Sequence, residues 1–536
     1  MDKEKILYEK AKDSQRIYDY LSKLLNIETK IPLTFISNVD TEKELKKNYL
    51  KENPFPHIIK FVLASLRKKA VNKLYEEEKV LQTPIIAAVL SLCAQVATNI
   101  GQLRGDTFYN DKIYTDISYA GLQAIRLYMA NYYDKEFKKT RLKSAIRVDN
   151  AINGSFYKYK TLDNRYISFH TYYQSQQEKL VKELNLKKES SKFNLLSTKR
   201  DIRYLKKVVS KENSYELEER AFKCGACACV LRSREEWEES EVGKAVAKMP
   251  LITFKDYKRH KLDFGQSLKK GPLTGVKVLD LTHIIAGPAC SRILAEYGAD
   301  VLLVRRGKYK NQEQAMLELD GWAGKNSIQL DLNNSKDLER MKELIKEAHV
   351  ITYSYQHNCF DKFGLSLEEI RKINPNIIYS NLMCFSTSVW QDRPGWAPLA
   401  EDITGLSVRN GSKENPKNLN GVPLDYIPGF ILALGTLIAI KDNLEYGRIS
   451  DVTTSLTRGA QFLHEMTDLC EKKEEPSNLT NIITTPIRES FNKIRVYVST
   501  SSCGLVGFPH PATYHTKYNS LEKNMSFSDS NSGFNN

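Results

Sequence analysis

A chain of 536 residues, 41% of them hydrophobic, can fill two or more cores, because single cores stop growing at about 250 to 300 residues. Its 80 lysines and arginines against 65 acids leave a net charge of +15, which suits an anionic partner; the lysines follow helical stretches without interleaved aromatics or zinc-finger spacing, so solvated helix faces are expected and nucleic acid is not. An odd count of nine cysteines and a charged start, Met1-Asp2-Lys3-Glu4-Lys5, point to a reducing, intracellular and cytoplasmic setting with neither signal peptide nor transit peptide.

Residues 1–79 read as a charged helical extension, with Ile17, Tyr20, Leu21 and Leu24 at helical spacing and no chemistry of their own. An apolar run over 83–100 follows, broken by Gln95 and Thr98, and a second over 428–440 is too short for about 30 Å of hydrocarbon. Both predict buried helices and no membrane span. After the first run come a loop with Gly101 and Gly105, a short strand at 113–118 and a helix through Leu122 and Ile125. The same order recurs after the second run: a loop with Gly447, a strand at 449–453 and a helix through Phe462, Leu463 and Met466. This predicts a diverged internal repeat.

Alternation at 155–160 and 165–169 around Asp163-Asn164 predicts a hairpin, and with it a small α+β domain over about 150–220 within a larger region 80–265. From Gly271 apolar strands at 276–281, 301–304, 350–355 and 377–382 alternate with helices. That pattern predicts an α/β fold, a Rossmann-like doubly wound parallel sheet over 266–466. Residues 467–519 form a C-terminal segment. The Ser- and Asn-rich tail 520–536, with Phe527 and Phe534 as its only aromatics, is expected to be disordered.

The first sheet strand runs into Asp280-Leu281-Thr282-His283-Ile284-Ile285-Ala286-Gly287-Pro288 and a helix, whose free N–H groups suit a phosphate or an oxyanion. The three-glycine dinucleotide fingerprint is missing, and Arg305-Arg306 ends the second strand where an NAD site would place an acid. NAD is disfavoured. The arginines suit the 3′-phosphate ADP of CoA as well as they suit open solvent. Cys224, Cys227 and Cys229 lack a second Cys or His pair at zinc spacing, so they read as core residues and no metal is expected.

A resemblance then becomes specific. The runs Gly271-Pro272-Leu273-Thr274-Gly275 to Gly287-Pro288, 294–304, 324–332, Phe363-Gly364-Leu365-Ser366 and Ile373-Asn374-Pro375-Asn376 resemble, in order, the family III CoA-transferases of the CaiB/BaiF group. The resemblance implies that family's fold, with acyl-CoA and a carboxylic acid as substrates and no permanently bound cofactor. It implies CoA-phosphate contacts at Arg306, Lys325 and Lys362, and puts the His283, Ile284, Ile285, Ala286 loop and Tyr355 near pantetheine and adenine. It also implies that Asp425, in Leu424-Asp425-Tyr426-Ile427-Pro428-Gly429, is the nucleophile that attacks the thioester. Without the resemblance Asp425 reads as a helix cap ahead of Pro428.

Two departures narrow the chemistry. Ile285 stands where the formyl and oxalyl transferases of the family carry glutamine, which argues against small polar acyl groups. Trp396, in Arg393-Pro394-Gly395-Trp396, stands where the family's racemases carry a proton-moving histidine. Trp390, Trp396 and Phe385 suggest a bulky apolar acyl lining. Residues 80–265 resemble the later part of a family subunit and 271–466 the earlier part, so the chain reads as two truncated copies joined head to tail. In the first copy Leu81 or Gln82 matches Asp425 and Pro84 matches Pro428, which leaves one nucleophile. The family's dimers interlock, so either two chains intertwine as a homodimer or the fused halves complete one another. Isomerisation at the α-carbon, or CoA binding without turnover, remain the alternatives.

Overall fold

The protein was analysed as a computed structural model that describes residues 3–37, 72–74, 76–106, 112–126, 131–132, 157–170, 174–185, 199–306, 319–472, 482–483, 496–500, 504–508, 513–515 and 534. Helix α1 (Lys3–Leu24) packs Ile17, Tyr18 and Leu21 into the same core as α2 (Thr83–Leu103). Helix α2 is apolar around its whole circumference, opens with Pro84 in its first turn and is enclosed on every side. Strand 113–116 follows, and its last residue, Asp116, caps α3 (Ile117–Ala124) by accepting from the amides of Ser118 and Tyr119. This strand lies in a four-stranded sheet with Leu33–Ile36, Ile482–Ile483 and Thr513–His515. The extension and the C-terminal segment therefore share a sheet with strand 113–116.

The larger sheet has seven strands: β1 (Thr253–Arg259), β2 (Lys277–Leu281), β3 (Asp300–Arg306), β4 (Asn326–Leu330), β5 (Val350–Tyr353), β6 (Ile378–Met383) and β7 (Arg448–Ser455). Their order is β4-β3-β2-β5-β6-β7-β1, parallel throughout except for the β7–β1 pair at one edge. Strands buried on both faces read as continuous apolar runs, which is why Val278 packs with one core cluster and Leu279 with the other. On one face lie α4 (Ala286–Glu296) and α8 (Pro423–Tyr446); on the other, α5 (Ser335–Glu347) and α6 (Leu367–Ile373). Helix α7 (Ala397–Ile403) and helix α9 (Leu456–Glu471) flank α8. The fold is a mixed α/β fold around a large, mostly parallel sheet.

The predicted repeat is realised as two runs of long helix, strand and helix: α2, strand 113–116 and α3, then α8, β7 and α9. Ser455, last in β7, caps α9 as Asp116 caps α3. The long helices lie side by side, with the Cys93 thiol on the carbonyl of Phe430 at 3.8 Å. Each long helix also begins against the other copy's short helix. The Val422 amide donates to the Ala124 carbonyl at 2.9 Å, and the Leu81 amide donates to the Thr467 hydroxyl at 3.1 Å. Between the copies, the Arg104 guanidinium donates to the carbonyls of Phe264, Gly265, Ser267 and Pro272 and fixes the connecting segment.

Strands Tyr159–Lys160 and Tyr166–Phe169 form the predicted hairpin, and Ala228–Val230 adds a third antiparallel strand. Helices Gln174–Glu183, Lys199–Val209 and Ser214–Lys223 cover it around Leu180, Leu205 and Leu217. The tail 520–536 lies outside the described residues except Phe534, whose ring is buried beside Leu279 and Ile351 and faces the Lys277 ammonium at 5.5 Å.

Candidate active site

The strand order reverses between β2 and β5, and the loops leaving their carboxyl ends form the centre of the site. Asp280, at the end of β2, is completely buried and ties this corner together. It accepts from Thr282 Oγ1 (2.6 Å), Thr352 Oγ1 (2.9 Å), Ser291 Oγ (2.6 Å) and Lys325 Nζ (2.7 Å). Lys325 is equally buried and also donates to the Pro288 carbonyl and Ser291 Oγ. Its ammonium is consumed inside the fold, because a buried lysine needs its counter-charge at hand. A CoA phosphate, the contact expected of Lys325, would have to compete with Asp280 for this ammonium.

His283, Ile284, Ile285 and Ala286 turn the chain from β2 into α4. The His283 amide donates to Ser354 Oγ at 3.1 Å, and its half-buried ring lies flat on Tyr355, centroids 4.3 Å apart at 13°. Burial pushes the His283 imidazole down to about 4, so it is neutral near pH 7. Ile284 has φ +66°, a left-handed conformation that a β-branched side chain adopts only under strain. A Cβ on Gly287 would lie 2.6 Å from Thr282 and 2.7 Å from Ser354, so only glycine fits between β2 and β5 there.

Asp425 belongs to α8. That helix starts at Pro423 with Val422 as its cap residue and no side-chain cap, so Asp425 sits inside the first turn and is not the cap. No described side chain or amide hydrogen-bonds its carboxylate, contrary to the expectation that helix N–H groups hold it. Burial first, and the Glu401 carboxyl second, push Asp425 up to about 8. The Cys384 thiol, close enough to be pushed up in its turn by Asp425, is almost enclosed. Helix α8 reaches the β2–α4 loop directly: a Cβ on Gly429 would stand 2.3 Å from the Ala286 carbonyl. Pro428 packs where Gly459 leaves room on α9.

The structure thus brings His283, Ile284, Ile285, Ala286 and Tyr355 to one corner and seats the Asp425 helix against it. Lys362 is exposed on the loop after β5, its ammonium 4.8 Å above Phe363, at the end of an aromatic run through Tyr355 and Phe360. The backbone of Arg306 ends β3, but its side chain lies outside the described residues. The three aromatics expected to line one pocket divide. Trp396 meets His283 edge-on at 6.3 Å, whereas Phe385 and Trp390 face a small crevice with Phe222 and Arg393.

Sequence reasoning missed Glu401, buried on α7, which accepts from Asn418 Nδ2 and the Leu419 amide and is pushed up to about 7 chiefly by burial. Two adjacent acids, Glu401 and Asp402, in an otherwise apolar stretch were its only signal. It also missed His170, Cys229 and Asp402, whose ligand-type atoms lie within 4.8 Å of one another. The Lys158 ammonium contacts both oxygens of Asp402 and supplies the positive charge that a cation would bring. Cys227 and Cys229 are buried in the core, as expected, and Cys224 is half-buried.

Comparison with known proteins matches residues 273–483 to the family described as CoA-transferase family III. An acyl-CoA transferase of Gibberella moniliformis is 31% identical over 264 residues, 46% of this chain and 46% of that protein. A formyl-CoA:oxalate CoA-transferase of Rhodopseudomonas palustris is 31% identical over 198 residues, 35% of this chain and 47% of that protein. The β subunit of a succinyl-CoA–L-malate CoA-transferase of Chloroflexus aurantiacus is 30% identical over 190 residues, 33% of this chain and 47% of that protein. A solved CaiB/BaiF family protein from Brucella suis superposes with a TM-score of 0.33 at 21% identity, over 44% of this chain and 65% of that one, too partial an overlap to weigh. The chain spans just under half the length of the curated relatives it matches. Over residues 273–483 the chain is therefore similar to CoA-transferase family III.

Proposed function

We propose that this chain moves CoA between carboxylic acids through covalent chemistry at Asp425. The observation that carries the reading is a half-buried carboxyl in the first turn of an apolar helix, without hydrogen bonds from described residues, on a helix seated against the strained β2–α4 loop. A dry carboxylate is a stronger nucleophile once it loses its proton. It attacks the thioester carbonyl; the C–S bond breaks, CoA thiolate leaves and a mixed anhydride forms. The thiolate then attacks the aspartyl carbonyl, expelling the donor acid and leaving an aspartyl-CoA thioester. The incoming carboxylate attacks that thioester, and the released thiolate takes the new acyl group and restores Asp425. None of these steps consumes water, so exclusion of solvent protects the anhydrides and the aspartyl thioester alike.

On this reading the sheet is a Rossmann-like, doubly wound CoA-binding domain and the hairpin region a smaller α+β domain. CoA lies over the β2–β5 crevice, with the His283–Tyr355 stack as an aromatic platform and Arg306 and Lys362 at the phosphates. The reciprocal seating of α2 and α8 supports completion of the site within one chain. The test is to supply an acyl-CoA panel with isotopically labelled carboxylic acids and to follow the label into the CoA thioester pool. Net transfer supports the proposal; hydrolysis alone, or no reaction with CoA bound, contradicts it.

A carboxyl pushed up to about 8 also suits a general base. Isomerisation at the α-carbon is therefore the second reading. Solvent deuterium entering the α-carbon without CoA exchange between acids would favour it.

A further inference from the structure

The heads of the two paired helices have opposite electrostatic fates. At the head of α2, Glu78 accepts from the amides of Gln82 (2.6 Å) and Thr83 (3.0 Å) and from the Thr83 hydroxyl (2.6 Å), and it pairs with Lys10 at 2.8 Å. Burial raises this carboxyl, but Lys10 and these hydrogen bonds outweigh burial and hold it below the usual range. It is a charged structural cap. At the head of α8 the carboxyl of Asp425 has no such partners among the described residues, and the segment that opens this helix is met by the end of α3.

Ala124, the last residue of α3, and Ile125 after it meet the segment that opens α8, and Arg126 reaches it through Asp320. The Ala124 carbonyl accepts from the Val422 amide at 2.9 Å, and a Cβ on Gly421 (φ +85°) would stand 2.3 Å from that same carbonyl and 2.7 Å from Ile125. Arg126, fully buried, ion-pairs with Asp320. Asp320 in turn accepts from the hydroxyl of Tyr426, the residue after Asp425, at 3.1 Å, and it is backed by Arg292 at 3.9 Å. A buried acid between two guanidiniums stays charged, so the Tyr426 hydroxyl has a fixed acceptor. The burial of Arg126 and Asp320 leaves little freedom for either to move.

We propose that the N-terminal copy, although it lacks a reactive acid, is the positioning element for Asp425, holding the first turn of α8 through Ala124, Ile125 and the Arg126–Asp320–Tyr426 chain. This rests on Asp425 being the reactive group. It assigns Arg126 and Asp320 as positioning residues acting through Tyr426, and it explains why a copy without its own nucleophile keeps the pairing of the long helices. An offset of about 1 Å at a nucleophile is enough to cost about 100-fold in rate.

The test uses the full chain with Arg126→Leu, Arg126→Lys and Tyr426→Phe, the last keeping the ion pair while removing only the hydroxyl. Two readouts are taken on folded protein. One is turnover with its KM. The other is the apparent pKa of Asp425, read from pH-dependent carbodiimide labelling mapped by mass spectrometry, which needs no turnover and so survives failure of the transferase reading. The expected result is about 100-fold lower turnover in Arg126→Leu with KM for acyl-CoA little changed, partial rescue in Arg126→Lys, and an Asp425 pKa that falls toward the ordinary carboxylate range in Arg126→Leu and Tyr426→Phe. If Arg126→Leu does not fold, Tyr426→Phe decides alone. A lowered melting temperature with the Asp425 pKa and the turnover per folded molecule unchanged would overturn the proposal.

Discussion

Asp425 and Lys325 exchange the characters their residue types suggest. The half-buried carboxyl is held in its protonated form by burial and by nearby Glu401, and the lysine ammonium ends inside the fold on Asp280. For Asp425 the folded pKa of about 8 lies above the unfolded value of about 3.9. The folded state therefore holds a proton that the unfolded state has released, and stability falls as pH rises from about 4 through 8. Asp425→Asn should melt at a higher temperature than the parent at pH 8, with the gap closing near pH 4 in calorimetric scans; a gap independent of pH contradicts the raised value. The same titration gives turnover an acid limb near pH 8. For Lys325, removing the ammonium strands a buried carboxylate, which costs about 3 to 5 kcal/mol. Lys325→Met should lose that much in denaturant unfolding. A stable Lys325→Met protein with weakened CoA binding would restore the phosphate role expected from the sequence.

At the scale of elements, much was written in apolar spacing. The runs over 83–100 and 428–440 become α2 and the body of α8, and the strands from 276 onward enter one parallel sheet, because these elements are set by local burial. What spacing does not encode is which buried polar group meets which. Asp280 and Lys325 lie 45 positions apart and Lys158 and Asp402 lie 244 apart, so neither pair leaves a local signature. Nor does the positive φ of Ile284, since it is imposed by the packing of β2, β5 and α4 and not by a glycine or asparagine. The close approach of α8 to the β2–α4 loop is a test of that packing. Gly429→Ala places a methyl against the Ala286 carbonyl and should cost about 1 to 3 kcal/mol of stability, together with lost activity. A neutral effect in thermal melts and in turnover would mean that the loop yields freely.

For the whole molecule, the recurrence of helix, loop, strand and helix was legible in two stretches of apolar spacing; the mutual seating of the two stretches was not, because both long helices are apolar all round and have no face that names a partner. The core that joins α1, α2, α8 and α9 is continuous across both copies. Cutting the connection should therefore leave the halves associated. With a specific protease site inserted after the exposed Lys269, the cleaved chain should elute at the size of the intact protein until denaturant is added. Separation of the fragments in native buffer would show that the copies are independent domains.

The most direct measurement is intact-mass analysis after incubation with a panel of acyl-CoAs and hydroxylamine, with Asp425→Ala in parallel. Hydroxylamine converts an aspartyl anhydride or an aspartyl thioester to a stable hydroxamate. The account predicts a hydroxamate that maps to Asp425 with at least one acyl donor and is absent from Asp425→Ala. CoA binding with no modification of Asp425 by any donor would contradict covalent transfer at this residue.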